Sequence, residues 1–127
     1  MVRILILEEH EMVRQALQER LDDAAGLEVV SSVGEYGRAV QEAQAVHPEV
    51  ILMEIKTTAG LATLQALRSA LPRAAVLVLT SYPDAREEEH VLALGARAYL
   101  LKTLNTASLV QAIHDTAHCP IESLRAL

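Results

Sequence analysis

Five short apolar runs divide the chain, and stretches with helical spacing of apolar residues lie between them. Four of the runs are nearly continuous in Val, Ile, Leu, Ala and Met, as expected for parallel strands that are buried on both faces. The second run is more polar and predicts an edge strand. The predicted strands are Val2–Leu7, Leu27–Val33, Val50–Ile55, Ala75–Thr80 and Ala98–Leu101.

The intervening stretches repeat apolar residues every three or four positions, which predicts amphipathic helices. Asp84 predicts the start of the fourth helix, and Asn105 or Thr106 predicts the cap of the fifth. Strand and helix alternate with short links, so the chain is predicted to be an α/β protein with a five-stranded parallel sheet and helices on both faces. A polar second strand favours the flavodoxin-like (βα)5 arrangement with strand order 2-1-3-4-5.

Composition narrows the class of protein. The 127 residues suffice for one domain, and 51% are hydrophobic with no Phe or Trp, which predicts an aliphatic core. The formal charge is −6 without a Lys/Arg cluster, so we expect no direct contact with nucleic acid. No apolar run approaches the ~20 residues of a membrane span, and the single Cys119 suits a reducing compartment. These features predict a cytoplasmic protein that does not enter a membrane.

Polar residues follow the predicted strands. Glu8 and Glu9 follow the first strand, and Lys102 follows the fifth. Thr80 ends the fourth strand, and Glu54 interrupts the apolar third run. An unpaired carboxylate in such a run is costly, and Lys102 is its candidate partner, because the carboxyl ends of parallel strands share one edge. For Glu8 and Glu9, a solvated loop is an equal alternative to a site.

The sequence resembles the receiver domain of bacterial two-component response regulators, which belong to the CheY-like superfamily, and in particular the NarL/LuxR-type group. The resemblance covers nearly the whole chain and rests on four segments in the right order. They are ILILEEHEMVR at 4–14, PEVILME at 48–54, VLVLTS at 76–81 and GARAYLLK at 95–102.

The resemblance implies a role for each polar residue after a strand. In the family, two acidic residues after the first strand hold Mg²⁺, an Asp after the third accepts a phosphoryl group, and a hydroxyl and a lysine bind that group. Glu8 and Glu9 match the metal pair, and Glu54 matches the phosphoacceptor. Thr80 matches the switch hydroxyl and Lys102 the lysine, while Tyr99 matches an aromatic residue whose rotamer follows activation.

The chain departs from the family within this site. Each of these acidic positions is Glu where Asp is usual, and the loop after Glu54 is shorter and lacks a proline. The extra methylene pushes the Glu54 carboxylate into the space of the metal and phosphoryl group, and misplacement by ~1 Å costs on the order of a hundredfold in rate. The sequence therefore predicts a degenerate receiver, or pseudo-receiver, that is not phosphorylated at Glu54 and carries no cofactor, with Mg²⁺ binding doubtful.

Two hypotheses describe the altered site. In the first, an ion pair between Glu54 and Lys102, with Lys56 as a second cation, holds the domain in one conformation. In the second, the site has lost its function and its charges are solvated. The alternative function is a magnesium-dependent phosphoacceptor or phosphoryl-transfer domain with a remodelled site. A flavin-binding module is disfavoured, because the loop after the first strand is acidic where a phosphate needs glycines and backbone amides.

The resemblance also implies a domain arrangement and partners. Residues 1–118 are predicted to be the receiver domain, and residues 119–127 the start of a linker to an effector domain outside this chain. The predicted effector is a helix-turn-helix DNA-binding domain of a transcription regulator. The receiver is predicted to be a non-enzymatic interaction module that forms a homodimer and has a sensor histidine kinase as a further candidate partner.

Overall fold

The computed structural model describes residues 1–118, and the predicted linker at 119–127 lies outside the described residues. The described residues form one parallel sheet of five strands. The strand order is β2-β1-β3-β4-β5, which confirms the predicted topology and the edge position of the second strand. The strands are β1 (Val2–Leu7), β2 (Leu27–Val33), β3 (Val50–Met53), β4 (Ala75–Thr80) and β5 (Ala98–Leu101).

Five helices cover the two faces of the sheet. They are α1 (Glu11–Asp22), α2 (Ala39–Val46), α3 (Thr58–Ala70), α4 (Ala85–Ala93) and α5 (Thr106–Ala117). Alternate residues of β1 enter different cores: Leu5 and Leu7 pack with α2, α3 and α4, whereas Ile4 and Ile6 pack with α1 and α5. This double burial explains why the central strands read as continuous apolar runs. Within residues 1–118, no helix is long and apolar enough to cross a bilayer.

Local signals in the sequence set several helix ends. The Asp84 carboxylate accepts from the Glu87 amide at 2.9 Å at the start of α4, and the Asn105 side chain accepts from the Ser108 amide at 2.8 Å at the start of α5. Gly26 lies between α1 and β2, and Gly95 lies between α4 and β5; their φ angles are +81° and +107°. Side chains are strained at such angles, so glycine suits these turns.

The third strand is shorter than predicted. The sequence favoured Val50–Ile55, but β3 ends at Met53. Its pairing with β1 runs from Ile4 opposite Val50 to Leu7 opposite Met53, and β1 ends there. The next amide, that of Glu54, makes only a long 3.4 Å hydrogen bond to the Leu7 carbonyl. Glu54 therefore lies just beyond the sheet and not within a strand.

Candidate functional site: a buried cluster of carboxylates and lysines

The residues that follow three of the strands form the centre of the site. Glu8 follows β1, Glu54 follows β3 and Lys102 follows β5, and the two glutamates are only 3% and 7% exposed. The Lys102 ammonium donates to Glu8 Oε1 and to Glu54 Oε2. The predicted contact between Lys102 and Glu54 is present, and Lys102 also neutralises Glu8. Neither of these two carboxylates is solvated.

A second ammonium reaches the same cluster from the loop after β3. Lys56 Nζ lies 3.4 Å from Glu54 Oε2 and 2.7 Å from His10 Nδ1. A lysine ammonium can only donate, so this nitrogen of His10 accepts and carries no proton. The His10 amide donates to Glu8 Oε2 at 3.0 Å. Two carboxylates thus face two ammonium groups, and their formal charges cancel.

The two carboxyl groups titrate in opposite directions. Burial opposes ionisation of Glu8, but the neighbouring Glu54 carboxyl, the Lys102 ammonium and the His10 amide together outweigh it and lower the pKa of Glu8 to about 2. Burial and the adjacent Glu8 raise the pKa of Glu54, against the opposing effect of Lys102. Two neighbouring carboxylates cannot ionise equally well in a buried site. Glu8 is therefore the firmly charged member of the pair.

Backbone contacts hold the two glutamates in position. The Tyr36 hydroxyl donates to the Glu54 carbonyl at 2.5 Å, and Arg14 donates to the Glu8 carbonyl at 2.8 Å. A Cβ at Gly60, in the first turn of α3, would lie 3.2 Å from the Ile55 Cα and 3.3 Å from the Tyr36 hydroxyl. A side chain at this position would crowd the loop that carries Glu54. The loop therefore depends on a close approach that glycine permits.

Sequence reasoning did not find Tyr36. It lies in a short 3₁₀ turn, Tyr36–Arg38, that precedes α2 and that apolar spacing did not predict. Burial and the nearby Glu9 raise the pKa of Tyr36 to about 12, so the hydroxyl remains a donor at neutral pH. The only available signal was the scarcity of aromatics: Tyr36 is one of three in the chain.

Glu9 does not join the other two glutamates. It is exposed and lines a surface cavity beside β2 that Arg14 and Arg38 also line. Glu8 continues the strand, since its amide donates to the Val33 carbonyl at 3.0 Å. Glu9 lies in the bend that follows, and its carboxylate is close enough to Tyr36 to raise the pKa of that hydroxyl. Among the described residues, the group that could hold a metal ion consists of Glu8, His10 and Glu54, and Glu9 is not part of it.

Thr80 and Tyr99 lie beside α4. The Thr80 hydroxyl is buried and accepts from the Tyr82 amide at 3.2 Å. The Tyr99 hydroxyl donates to Glu87 Oε1 at 2.7 Å and accepts from the Asp84 amide at 3.2 Å. Burial and the Glu87 carboxylate raise the pKa of Tyr99. The side chain at the switch position thus links β5 to the first turns of α4.

This fold and this site agree with a known family. Residues 4–114 match the family model of the response regulator receiver domain. The chain belongs to that family. The receiver is 32% identical over 115 residues to the transcriptional regulatory protein LiaR of Bacillus subtilis, covering 89% of this chain and 54% of the relative. It is 28% identical over 118 residues to the response regulator protein VraR of Staphylococcus aureus, covering 91% and 56%.

Solved receiver structures share the fold. The signal receiver domain of the putative response regulator NarL of Mycobacterium tuberculosis superposes with a TM-score of 0.83 at 25% identity, covering 91% of this chain and 95% of that one. A LuxR-family DNA-binding response regulator of Staphylococcus aureus gives 0.84 at 21% identity, covering 93% and 100%; the latter likeness concerns the fold alone. This receiver spans about half the length of the curated relatives it matches.

The cluster is a poor fit for the Mg²⁺ that the family implies. Mg²⁺ requires near-octahedral coordination by oxygen atoms. Here the potential ligand atoms of Glu8, His10 and Glu54 lie within 4.8 Å of one another, but one of them is a nitrogen. Both carboxylates are already bonded to Lys102, and Lys56 also contacts Glu54. The exposed Glu9 supplies no compensating oxygen within this group.

Proposed function

We propose that this receiver domain regulates a transcription factor without phosphoryl transfer to Glu54. The observation that carries the proposal is the Lys102 ammonium, which binds the buried carboxylates of Glu8 and Glu54 together. In the family, the lysine binds the incoming phosphoryl group. Here the Glu54 carboxylate itself accepts from the lysine. The protein thereby supplies in its resting state a contact that phosphorylation would otherwise create.

Chemistry at the acceptor also supports this proposal. Glu54 Oε2 accepts from Lys102 and lies 3.4 Å from Lys56, so the lone pairs of this oxygen are engaged. Phosphoryl transfer depends on positioning and on a metal that neutralises developing charge. A buried, lysine-bound glutamate meets neither requirement well.

The biological setting is part of the same proposal. LiaR is a transcriptional regulatory protein, and this chain covers 54% of it. We therefore propose a helix-turn-helix DNA-binding effector in the same full-length protein, a receiver that homodimerises, and a cytoplasmic location. The receiver itself acts as an interaction module and not as an enzyme. A sensor histidine kinase remains a candidate partner through surface contact.

Incubation with acetyl phosphate and Mg²⁺, followed by intact-mass measurement, tests the acceptor. We expect no phosphoryl adduct on the wild-type chain. Glu54→Gln, analysed in parallel, is the matched control for any adduct formed elsewhere. An adduct that appears on the wild type and is absent from Glu54→Gln would establish Glu54 as a phosphoacceptor and favour the alternative function of a magnesium-dependent phosphoacceptor domain.

Glu54→Gln also tests the conformational role of the ion pair. The amide retains the shape of the side chain but removes its charge. We expect faster amide hydrogen exchange in the loops after β3 and β5, together with a changed monomer–dimer equilibrium in sedimentation. Unchanged exchange and unchanged association would contradict the idea that the pair holds the domain in one state.

A further inference from the structure

The chain contains only two lysines, and both contact Glu54. Of its 11 basic residues other than histidine, the rest are arginines. Lys102 is the position that the family shares, whereas Lys56 lies on the altered loop after β3. Lysine carries a compact ammonium with three donors, and arginine a planar fork. A compact cation is the type that fits among carboxylate oxygens in place of a metal ion.

We propose that the Lys56 ammonium is a built-in replacement for the divalent cation of a receiver site, and that its removal exposes a latent site for a late first-row metal ion at Glu8, His10 and Glu54. The inference rests on the proposed function, because it explains how the cluster stays neutral without Mg²⁺. It goes further by naming the residue that blocks metal binding and the class of metal that is blocked.

Lys56 occupies the place where a metal ion would bind. Its Nζ lies 2.7 Å from His10 Nδ1 and 3.4 Å from Glu54 Oε2. His10 Nδ1 lies 3.5 Å from Glu8 Oε2, so the ammonium contacts two of three mutually close ligand atoms. A metal ion bound to these atoms would occupy the space that Lys56 now fills. Metal and ammonium are therefore alternatives at this position.

The two lysines differ in how firmly they are held. The Lys102 side chain is 15% exposed and bridges both carboxylates, whereas Lys56 is 35% exposed and contacts only Glu54 among them. Lys102 is therefore the permanent counter-charge of the pair. Lys56 is the cation that can be removed while Lys102 still compensates the buried carboxylates.

The ligand types select the metal. One imidazole nitrogen and two carboxylate oxygens suit Zn²⁺, Ni²⁺ and similar ions, which bind such sites more tightly than early divalent ions do. Mg²⁺ prefers a shell of oxygens. The neutral Nδ1 of His10, which accepts from Lys56, has the protonation state that a metal requires. Loss of Lys56 removes the ammonium that now occupies this nitrogen.

Titration of the 127-residue chain with Ni²⁺ by calorimetry tests the inference. We expect Lys56→Met to bind one more equivalent of Ni²⁺ than the wild type, or to bind it about tenfold or more tightly, because a positive charge a few ångströms away is removed. Lys56→Gln, also uncharged, repeats the test if Lys56→Met does not fold. Wild-type binding measures the background from other histidines, such as His114 on α5 and His118 just after it, whose rings stack.

Two control variants locate the effect. Lys56→Met combined with His10→Ala should return Ni²⁺ binding to the wild-type level. Arg86→Met removes a positive charge from the surface groove that Lys56 also lines, and should gain no site. Equal binding by the wild type and Lys56→Met, or an added site that persists without His10, would overturn the inference. The readout is independent of the phosphoryl adduct that tests the proposed function.

Discussion

Two regions at the carboxyl end of the sheet are held by different kinds of contact. At the ends of β1 and β3, Glu8 and Glu54 are buried and bonded to a lysine, and both of their carbonyls accept hydrogen bonds from side chains. Around β5 and α4, Val91 is the buried residue of its helix, and a large apolar side chain is exposed at each of Tyr82, Leu92 and Leu101.

The two regions differ in how strongly their contacts resist a change of conformation. Removing one member of a buried ion pair leaves an uncompensated charge, so the first region resists change. The second is held by the burial of Val91 and by the hydroxyl of Tyr99, whose partners Asp84 and Glu87 lie on or beside the first turn of α4. Partly exposed hydrogen bonds contribute little each. The first region is thus held by buried charge pairs, while the second region exposes apolar side chains around Tyr99.

The largest expected effect comes from Lys102→Met. Loss of the ammonium leaves Glu8 and Glu54 facing each other in a buried site, and we expect a loss of about 3 kcal/mol in the free energy of unfolding. Urea denaturation followed by circular dichroism measures it. Lys56→Met is the matched control, with an expected loss below about 1 kcal/mol because its ion pair is more exposed. Equal losses in the two variants would show that burial does not distinguish the lysines.

A second prediction concerns pH. The pKa of Glu8 lies below its ordinary 4.5, so its contribution to stability is present above that pH and is lost as the pH falls toward about 2. The pKa of Glu54 is raised, so its contribution is present below pH 4.5 and is lost as the pH rises through the raised value. Urea midpoints measured against pH should therefore decline on both sides of an acidic optimum.

Glu54→Gln separates the two arms of this profile. The variant should lose the decline above pH 4.5, because the group that releases its proton there is gone. The acid-side loss that belongs to Glu8 should remain. A profile that keeps its shape in Glu54→Gln would assign the decline to another group and contradict the raised pKa of Glu54.

Most of the fold was predictable because its signals are local. Central strands that are buried on both faces leave continuous apolar runs, and the caps at Asp84 and Asn105 follow from their side chains alone. The end of β3 was not predictable in this way. Ile55 is apolar and buried, but β3 ends at Met53, opposite the last residue of β1. Burial of an apolar residue in the sequence therefore does not mark the end of the strand.

The site was predictable only where a strand end fixes the position. Glu8, Glu54 and Lys102 each follow a strand directly, and they meet as topology requires. Glu9 matched the family equally well in sequence, but it is exposed and is not in the group of possible metal ligands that Glu8 and Glu54 form with His10. Tyr36 contacts the site through a 3₁₀ turn from a distant part of the chain. Such contacts depend on tertiary packing, which apolar spacing does not report.

Tyr36→Phe is expected to have an intermediate effect. The change removes the hydroxyl that binds the Glu54 carbonyl but keeps the ring packed against the core. We expect a loss of about 1 kcal/mol in the free energy of unfolding, typical of one hydrogen bond. Amide hydrogen exchange should also rise in residues 54–57. If exchange rises equally in α4, the hydroxyl has a global role and the two regions are less separate than the contacts indicate.

Tyr99→Phe should have the smallest effect on stability and the most local effect on motion. The hydroxyl bonds to Glu87 and to the Asp84 amide are partly exposed, so their loss should cost about 0.5 kcal/mol. Hydrogen exchange should quicken in the first turn of α4, while Glu8 and Glu54 retain their environment. Glu87→Gln is the matched control, because an amide oxygen can still accept from Tyr99 and should preserve slow exchange. If Tyr99→Phe also quickens exchange at Glu54, then the ion-paired cluster and α4 are coupled in the resting protein. The absence of such a change would mean that α4 can move while the cluster stays fixed.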